Sequence, residues 1–267
     1  MKKDRFLKAA LLVAGLSGLL ACDKKEDEIE PKPEPVTTEI KKGFPENRRS
    51  IHGYLYACSS GGTTNPQLSV NAFFGDPARD LLGVFDHQNE QNIFSGGTGF
   101  PNVTVGNLYA NGYLVNTSKN TTFYNRVFSL SGLPSSVNWK SDGNKSFFAM
   151  DLNIPGQFPS VNQAALNSYS VISRSKELVL NFSNFISECD SVAVTFGYGG
   201  ISSQYLRKCV RYSDGQIRFS SAELSNLSYS SIMVSYSGFS YWSKVTNNKT
   251  FVFELSGKAN MYTMLTN

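Results

Sequence analysis

Ile232-Met233-Val234-Ser235-Tyr236 is a short run of strand-forming residues near the C-terminus, and Phe251-Val252-Phe253-Glu254-Leu255 is another. From Asn47 onward such runs recur between turn residues, and no stretch of a dozen residues spaces its apolar side chains at helical intervals. The other runs of this kind are 51–56, 68–74, 123–128, 137–140, 146–150, 178–182, 192–196 and 261–265. The sequence therefore predicts an all-β fold.

Three short motifs predict local connections between these runs. One Asp-Gly pair ends at Gly143 and another at Gly215, and in both the glycine supplies the positive φ that a hairpin turn needs. Ser220, followed three residues later by Glu223, is typical of a single capped helical turn. We expect two hairpins and one helical turn at these places.

Two prolines within five residues, Pro155 and Pro159, indicate a boundary between two halves of the body. The second half holds about seven predicted strands in roughly 100 residues, the spacing of an immunoglobulin-like sandwich. A jelly roll or pairing through edge strands has similar spacing, so the topology stays open. We expect one or two antiparallel β-sandwich domains, over 47–158 and 159–267, the C-terminal one immunoglobulin-like.

The N-terminus is typical of a secretory signal. Four cations and one acid lie within the first eight residues, and 9–20 is an unbroken small and apolar run, shorter than the ~20 residues of a membrane-spanning helix. The run ends in Leu19-Leu20-Ala21-Cys22, which resembles the lipobox of bacterial lipoproteins. The resemblance implies a signal peptide over 1–21, removed before a Cys22 that carries diacylglycerol and an acyl chain such as palmitate. The alternative is an ordinary signal peptide that ends near a cysteine.

Residues 22–46 are predicted to form an extended tether, because charge and proline at this density cannot bury a core. Lys25-Glu26-Asp27 resembles the signal that sends lipoproteins of the phylum Bacteroidetes to the outside of the outer membrane. Asp23 instead resembles the inner-membrane retention signal of enteric bacteria. We expect an outer-membrane lipoprotein exposed at the cell surface, with a periplasm-facing lipoprotein as the alternative.

The body also resembles a recurrent, uncharacterised type of Bacteroidetes lipoprotein over residues 135–256. The resemblance lies in the order of a tryptophan strand at Trp139, the crossing between Pro155 and Pro159, the segments 171–176 and 190–192, and the turn at 219–224. It implies an envelope lipoprotein with a β-sandwich body and supplies no catalytic residue.

The composition favours neutral ligands. Loss of residues 1–21 would lower the formal net charge from +4 to +1, so nucleic acid is a poor candidate partner. Residues 47–267 hold 34 serines and 23 asparagines against 28 charged side chains, a surface that suits sugar hydroxyls and protein epitopes. Tyr236, Tyr241 and Trp242 are the candidate ligand contacts, and the alternative is that alternate aromatics of 236–242 fill the core.

The cysteines leave a disulfide open. With Cys22 lipidated, Cys58, Cys189 and Cys209 remain, and an odd number allows one bridge and one free thiol. Cys189 and Cys209 lie about 20 residues apart in one predicted domain and are the better pair. The alternative is that both are small buried hydrophobic residues in the reduced form.

No residue pattern here predicts catalysis, a metal site or a cofactor. His87 lies among several polar residues in 86–90, but such a cluster is more often a solvated loop than a zinc site. His52 is expected to pack within a strand. No serine lies in a Gly-x-Ser-x-Gly motif, and no phosphate-binding loop with its lysine occurs. Paired carboxylates that meet only in space stay open, and the acids available include Asp151, Asp190 and Glu254.

Two kinds of modification motif occur in the body. Asp190-Ser191-Val192 resembles the O-glycosylation motif of Bacteroidetes, with Ser191 as the acceptor, and a core strand there would mask it. Seven Asn-x-Ser/Thr triplets include those at Asn116, Asn120 and Asn248, and a bacterial context argues against their glycosylation.

These observations predict a non-catalytic, lipid-anchored envelope protein that binds a glycan, an envelope protein or a host protein at the cell surface. Its anchor would be the N-terminal lipid in the membrane, and no cofactor or nucleic acid is expected. The alternatives are a structural lipoprotein that supports an envelope complex and a hydrolase of surface glycans.

Overall fold

The computed structural model describes residues 39–45, 51–60, 66–75, 103, 105–117, 124–144, 148–197 and 206–267. These residues belong to one compact unit, Thr37–Asn267. Strands dominate it and helices are few and short, so the predicted all-β fold is confirmed.

Fifteen strands are present in the described part of the chain. The first eight are β1 (Lys41–Lys42), β2 (Ile51–Ser60), β3 (Gln67–Phe74), β4 (Leu108–Ala110), β5 (Tyr113–Thr117), β6 (Tyr124–Ser129), β7 (Ser136–Ser141) and β8 (Met150–Pro155). The others are β9 (Val171–Ser173), β10 (Leu178–Asn181), β11 (Ser191–Phe196), β12 (Leu206–Arg211), β13 (Gln216–Phe219), β14 (Ser231–Thr246) and β15 (Lys249–Thr266). The two α-helical segments are Gln163–Leu166 and Ser221–Ser225, and single 3-10 turns occupy Asn167–Tyr169, Phe182–Asn184 and Tyr212–Asp214.

One large sheet carries most of the strands. Its order is β12-β11-β14-β15-β2-β3-β6-β5-β4-β7-β8, with β1 added beside β14 and β9 beside β15. The pairings are antiparallel except that β2 and β9 both run parallel to β15. A separate two-stranded sheet pairs β10 with β13. The long hairpin β14–β15 therefore lies at the centre of the fold.

The first half of the body is a sandwich around its own apolar core. Buried side chains of β2, β3 and the beginning of β15 pack with those of β4, β7 and β8. Trp139 on β7 is among the largest fully buried side chains. The chain enters this core near Leu55 and leaves it at Phe158. The hairpin returns to it with four side chains, Trp242, Phe251, Phe253 and Leu255.

The second half has a different covering layer over the same hairpin. Val192, Val194 and Phe196 of β11 pack with β14 and with the end of β15. The small sheet β10–β13 and the short helical segments cover them, contributing Phe182, Phe219 and other buried residues. Along the chain, the last residue of the first core before the crossing is Phe158 and the first residue of the second core is Leu166, next to the boundary predicted at 158. However, β14 and β15 contribute to both cores.

Two glycines mark the place where the connection between the halves crosses the hairpin. Gly238 on β14 lies directly opposite Gly257 on β15. A Cβ atom on Gly257 would lie 1.6 Å from the carbonyl oxygen of Pro159, and one on Gly238 would lie 2.5 Å from Ile186. The predicted proline crossing therefore passes directly over a part of the sheet that has no side chains.

The predicted turns are found with two differences. Gly143 and Gly215 have positive φ, and Ser220 and Glu223 form the predicted capping box. However, β7 and β8 pair from Ser141 to Met150, so residues 142–149 connect them rather than a tight turn. The turn at Gly215 joins β12 to β13, which lie in different sheets, because β12 pairs with β11 and β13 with β10.

Candidate functional site

The three aromatic residues predicted to contact a ligand are buried. Tyr236 lies in the second core, with its ring 5.6 Å from that of Phe185 in an edge-to-face arrangement. Tyr241 and Trp242 are 4% and 8% exposed. Tyr236 and Trp242 occupy the two cores, which is the alternative interpretation of this stretch, whereas Tyr241 is buried in a small cluster on the opposite face of the sheet.

The Trp242 ring contacts an N-terminal segment of the same chain. Residues 39–45, hereafter the strap, run beside β14 through β1. The Lys42 ammonium lies 4.1 Å from the centre of the Trp242 ring and 3.0 Å from a carboxylate oxygen of Asp190. A cation–π contact and an ion pair thus fasten the strap. The end of the predicted tether, 22–46, therefore lies against the body.

Tyr241 completes this attachment from the other face of β14. Its ring meets that of Phe44 edge to face at 5.4 Å, and its carbonyl oxygen accepts a hydrogen bond from the Gly43 amide at 2.8 Å. The Tyr241 amide donates to the Asp190 carboxylate at 2.6 Å. Tyr241 and Trp242 thus bind the strap of the same chain.

Cys189 and Cys209, the candidate pair for a disulfide, are not bridged in the structure. Both cysteines and Cys58 are free thiols in the structure. Cys189 packs against the second core, whereas on β12 it is Val210 that packs there, so the side chain of its neighbour Cys209 points to the opposite face of the sheet. Burial raises the pKa of Cys189 to about 11 and also raises the pKa of Cys58 and of Cys209.

Ser191 and His52 both lie within strands of the large sheet. Ser191 begins β11, between β12 and β14, and its hydroxyl is buried. The predicted O-glycosylation at this residue would need an exposed hydroxyl, which the folded strand does not offer. The Nδ1 atom of His52 accepts a hydrogen bond from the Thr250 amide at 3.2 Å, beside the bulge in the pairing of β2 with β15.

The three acids considered as catalytic candidates make different contacts. Asp151 is exposed on β8 and accepts a hydrogen bond from Asn138 at 2.9 Å. Asp190 holds the strap, and Glu254 is buried within β15. The lipidation site Cys22, the segment Lys25-Glu26-Asp27 and the cluster around His87 lie outside the described residues.

Glu254 belongs to a polar row on the face of the large sheet that is turned away from the two cores, hereafter the outer face. Tyr241 and Tyr56 lie directly opposite Glu254 on the strands to either side. Asn71 follows on β3 and Asn125 on β6, and the Asn125 amide donates to Asn71. The row therefore crosses five strands, and the side chains of Glu254 and Asn71 within it are polar although they are buried.

Three tyrosines lie within electrostatic reach of the Glu254 carboxylate. The Tyr54 hydroxyl donates a hydrogen bond to it. Burial raises the pKa of Tyr54, Tyr56 and Tyr241, and the nearby carboxylate raises each of them further. These phenols therefore stay protonated over the ordinary pH range and remain available as hydrogen-bond donors. Together with Ile51, Phe73 and Val252 they form a third, small cluster on the outer face.

The outer face is open over the second half of β15. From Thr250 to Gly257 every residue of this strand is buried, but from Lys258 onward the outward side chains are exposed while Met261, Thr263 and Leu265 stay buried. Tyr262 is 65% exposed. Met264 and, directly opposite it on β9, Val171 are each more than half exposed. We call this part of the outer face the open face.

A second polar row crosses the open face beside Tyr262. Arg207 on β12, Thr195 on β11, Ser235 on β14 and Asn260 on β15 lie opposite one another in turn. The Ser235 hydroxyl donates to the Asn260 side-chain oxygen at 2.7 Å. Strands in a sheet lie about 4.8 Å apart, so the row presents closely spaced hydroxyl, amide and guanidinium groups next to an exposed aromatic ring.

The sequence predicted a strand over 261–265 but did not identify Tyr262 as an exposed residue. The signal was the alternation of Tyr262 and Met264 with Met261, Thr263 and Leu265. Because apolar side chains occur at both sets of positions, alternation alone could not decide which set faces the core. That choice is made by the layer that β10 and β13 place over one face.

No family model matches the chain, and no curated protein matches it. Within the described ranges, no three His, Cys, Asp or Glu side chains are grouped so that they could hold a metal ion. None of the helices in the same part of the chain is long and apolar enough to cross a membrane.

Proposed function

We propose that the protein is a lipid-anchored, non-catalytic envelope protein whose β body binds a glycan or a protein at the cell surface. The observation that carries the binding role is the open face. Exposed apolar patches that polar groups surround are typical of interaction sites. Here Tyr262, Met264 and Val171 are each more than half exposed on the outer face of a sheet whose inner face forms both cores.

Support for the anchor comes from the N-terminal sequence. Leu19-Leu20-Ala21-Cys22 resembles a lipobox, and the charged, proline-rich residues that follow would keep the body away from the lipid surface. The strap is where this segment reaches the body, through Lys42, Asp190 and Trp242. Lys25-Glu26-Asp27 supports placement outside the outer membrane.

The location is tested on intact cells with a protease too large to cross the outer membrane, following the body with an antibody. We expect the wild-type body to be removed and a Cys22→Ser chain to be released from the membrane fraction. Protection of the body until the envelope is opened would contradict surface display and favour the periplasm-facing alternative.

Binding is tested with the full chain purified in detergent, on arrays of glycans, envelope proteins and host proteins. The informative variant is Tyr262→Ser, because it removes the exposed ring without opening a core. Tyr113→Ser is the matched control, since Tyr113 is also about half exposed but lies on β5. A ligand that Tyr262→Ser loses and Tyr113→Ser keeps supports the proposal; identical binding by both variants would contradict it.

A further inference from the structure

The exposed charged side chains on the strands of this face are cations, whereas the Asp214 carboxylate accepts a hydrogen bond from the Arg211 amide in the turn that follows β12. Lys258 on β15 and Arg207 on β12 occupy strand positions of the open face. Arg211 on β12 points to the same side but lies one row away, level with Ser256, where β15 is still buried. Lys258 and Arg211 are exposed and Arg207 is half-buried. The acid on the described strands of the outer face is Glu254, which is buried and accepts a hydrogen bond from Tyr54. A ligand on the open face therefore meets positive charge although the mature chain would be close to neutral.

The arrangement of the cations matches a chain of polar units better than a compact ligand. Lys258 lies in the row Cys209, Ala193, Ser237, Lys258, and the row of Arg207 and Asn260 runs next to it. The cationic residues of the two rows stand at opposite ends, Lys258 on β15 and Arg207 on β12. The Arg207 side chain is half-buried and its guanidinium lies within electrostatic reach of Glu254. Each row crosses four strands, roughly 14 Å at about 4.8 Å per strand.

Tyr262 lies two residues beyond Asn260 on the same side of β15, opposite Met233 of β14. An exposed aromatic ring offers a flat apolar surface to the C–H face of a sugar. The hydroxyl and amide of Ser235 and Asn260 offer hydrogen bonds to its edge. Cations at the ends of the rows would then meet acidic substituents.

We propose that the open face binds an acidic polysaccharide, one whose sugars carry carboxylate or sulfate groups. The inference rests on the proposed binding function and names its ligand class. A second copy of the chain is a poorer occupant, because a two-fold contact would place Lys258 and Arg211 against the like charges of the partner copy. The amide and hydroxyl rows favour sugars over an apolar protein surface.

The experiment uses the full chain in detergent and two matched pairs of polymers. Dextran sulfate is compared with dextran, and polygalacturonate with its methyl ester, so that sulfate and carboxylate are each tested against a neutral form of the same polymer. We expect binding to at least one acidic polymer, at least about tenfold tighter than to its neutral partner in low salt, and weaker as salt screens the charges.

Variants then locate the site. Lys258→Gln and Arg211→Gln are each expected to weaken binding about three- to fivefold, as loss of an exposed ion pair does. Tyr262→Ser is expected to weaken it about tenfold. Lys140→Gln, an exposed cation on β7, is the control and keeps wild-type binding. Arg207 is left unchanged because it lies within the electrostatic reach of buried Glu254.

Other outcomes overturn the inference in distinguishable ways. Equal binding of each polymer and its neutral partner, or full binding by the Lys258 and Arg211 variants, rules out acidic recognition here. If a neutral glycan or a protein binds and only Tyr262→Ser loses it, the proposed binding function stands without the acidic ligand. A dimer that Tyr262→Ser dissolves would make the face a contact between copies, and no ligand sensitive to Tyr262 on any array would end both proposals.

Discussion

At the scale of single residues, Gly257 is the position that tolerates change least. The chain crosses it so closely that a Cβ would lie 1.6 Å from a backbone oxygen of Pro159, and backbone cannot rotate away as a side chain can. We expect Gly257→Ala to lower the free energy of unfolding by about 3 kcal/mol or more. In a body of this size that corresponds to a Tm lower by roughly 6 to 12 °C.

Thermal and urea unfolding measure this effect. Gly132→Ala is the matched control, because nothing lies within 4 Å of the Cβ it would add. We expect the control to stay within about 0.5 kcal/mol of the wild type. Equal stability of the two variants would mean that the connection does not pass over Gly257 as described.

The three thiols give a second residue-scale prediction. In a Cys22→Ser chain, unfolding in urea without reductant should release three reactive thiols, since Cys58, Cys189 and Cys209 are free. In the folded chain at pH 8 all three should react slowly with a thiol reagent, because burial raises their pKa values and keeps them protonated. Detection of one reactive thiol in urea instead of three would show that Cys189 and Cys209 form a disulfide.

The raised pKa of Cys189 predicts how stability changes with pH. The pKa of Cys189 is about 11 in the folded chain and about 8.5 in an unfolded one. Between these values the unfolded state loses the proton first, so stability declines as pH rises from about 8.5 towards 11. Cys189→Ser should therefore flatten this decline relative to the wild type in urea titrations at pH 7 and pH 10. A decline of equal size in the variant would assign it to other groups.

At the scale of elements, the strap depends on Lys42. Lys42→Met keeps the length of the side chain but removes its contacts with Asp190 and with the Trp242 ring. Global stability should fall by less than about 1 kcal/mol, since both charged groups are partly exposed. Local opening should increase, and the Gly43 amide, bonded to the Tyr241 carbonyl, should exchange with deuterium severalfold faster.

Lys41→Met is the control for this experiment. Lys41 also lies on β1, opposite Ser243, and its side chain alternates to the other side of the strand. We expect the exchange of the Gly43 amide to stay at the wild-type rate in this variant. Faster exchange in both variants would mean that the strap responds to charge in general and not to the Lys42 contacts.

Strands were predictable where their signal is local. The runs 51–56, 68–74 and 192–196 lie within β2, β3 and β11. The Asn-Gly pair at Gly112, with both residues at positive φ, makes the tight turn between β4 and β5, which is a further local hairpin signal in the sequence. The runs 251–255 and 261–265 are one strand, because the Ser-Gly step at Gly257 that separates them continues it under the crossing chain.

Pairing between distant strands could not be predicted in this way. β2 runs parallel to β15, and the Tyr54–Glu254 contact joins residues 200 positions apart. Nothing in either run specifies the other, so neither the buried tyrosine cluster nor the open face follows from local pattern. The aromatic stretch 236–242 shows the same limit, since its exposure depends on the strap and on both covering layers.

At the scale of the whole molecule, the shared hairpin should make the two halves unfold together. β14 and β15 supply buried residues to both cores, so neither core is complete without them. Phe196→Ala removes a fully buried ring from the second core and should cost about 3–5 kcal/mol. Both tryptophans, Trp139 and Trp242, belong to the first core and report on it by fluorescence.

We expect Phe196→Ala to shift the fluorescence midpoint of the first core in urea as far as it shifts the circular dichroism midpoint. The reason is that loss of the second core exposes the end of β15, and the strand cannot keep one half in place while the other half is released. If the tryptophan midpoint stays at its wild-type value, the halves unfold separately and the chain divides near residue 158 into two domains. Coincident shifts mean that anything bound at the open face stabilises the first core as well, because one cooperative unit links them.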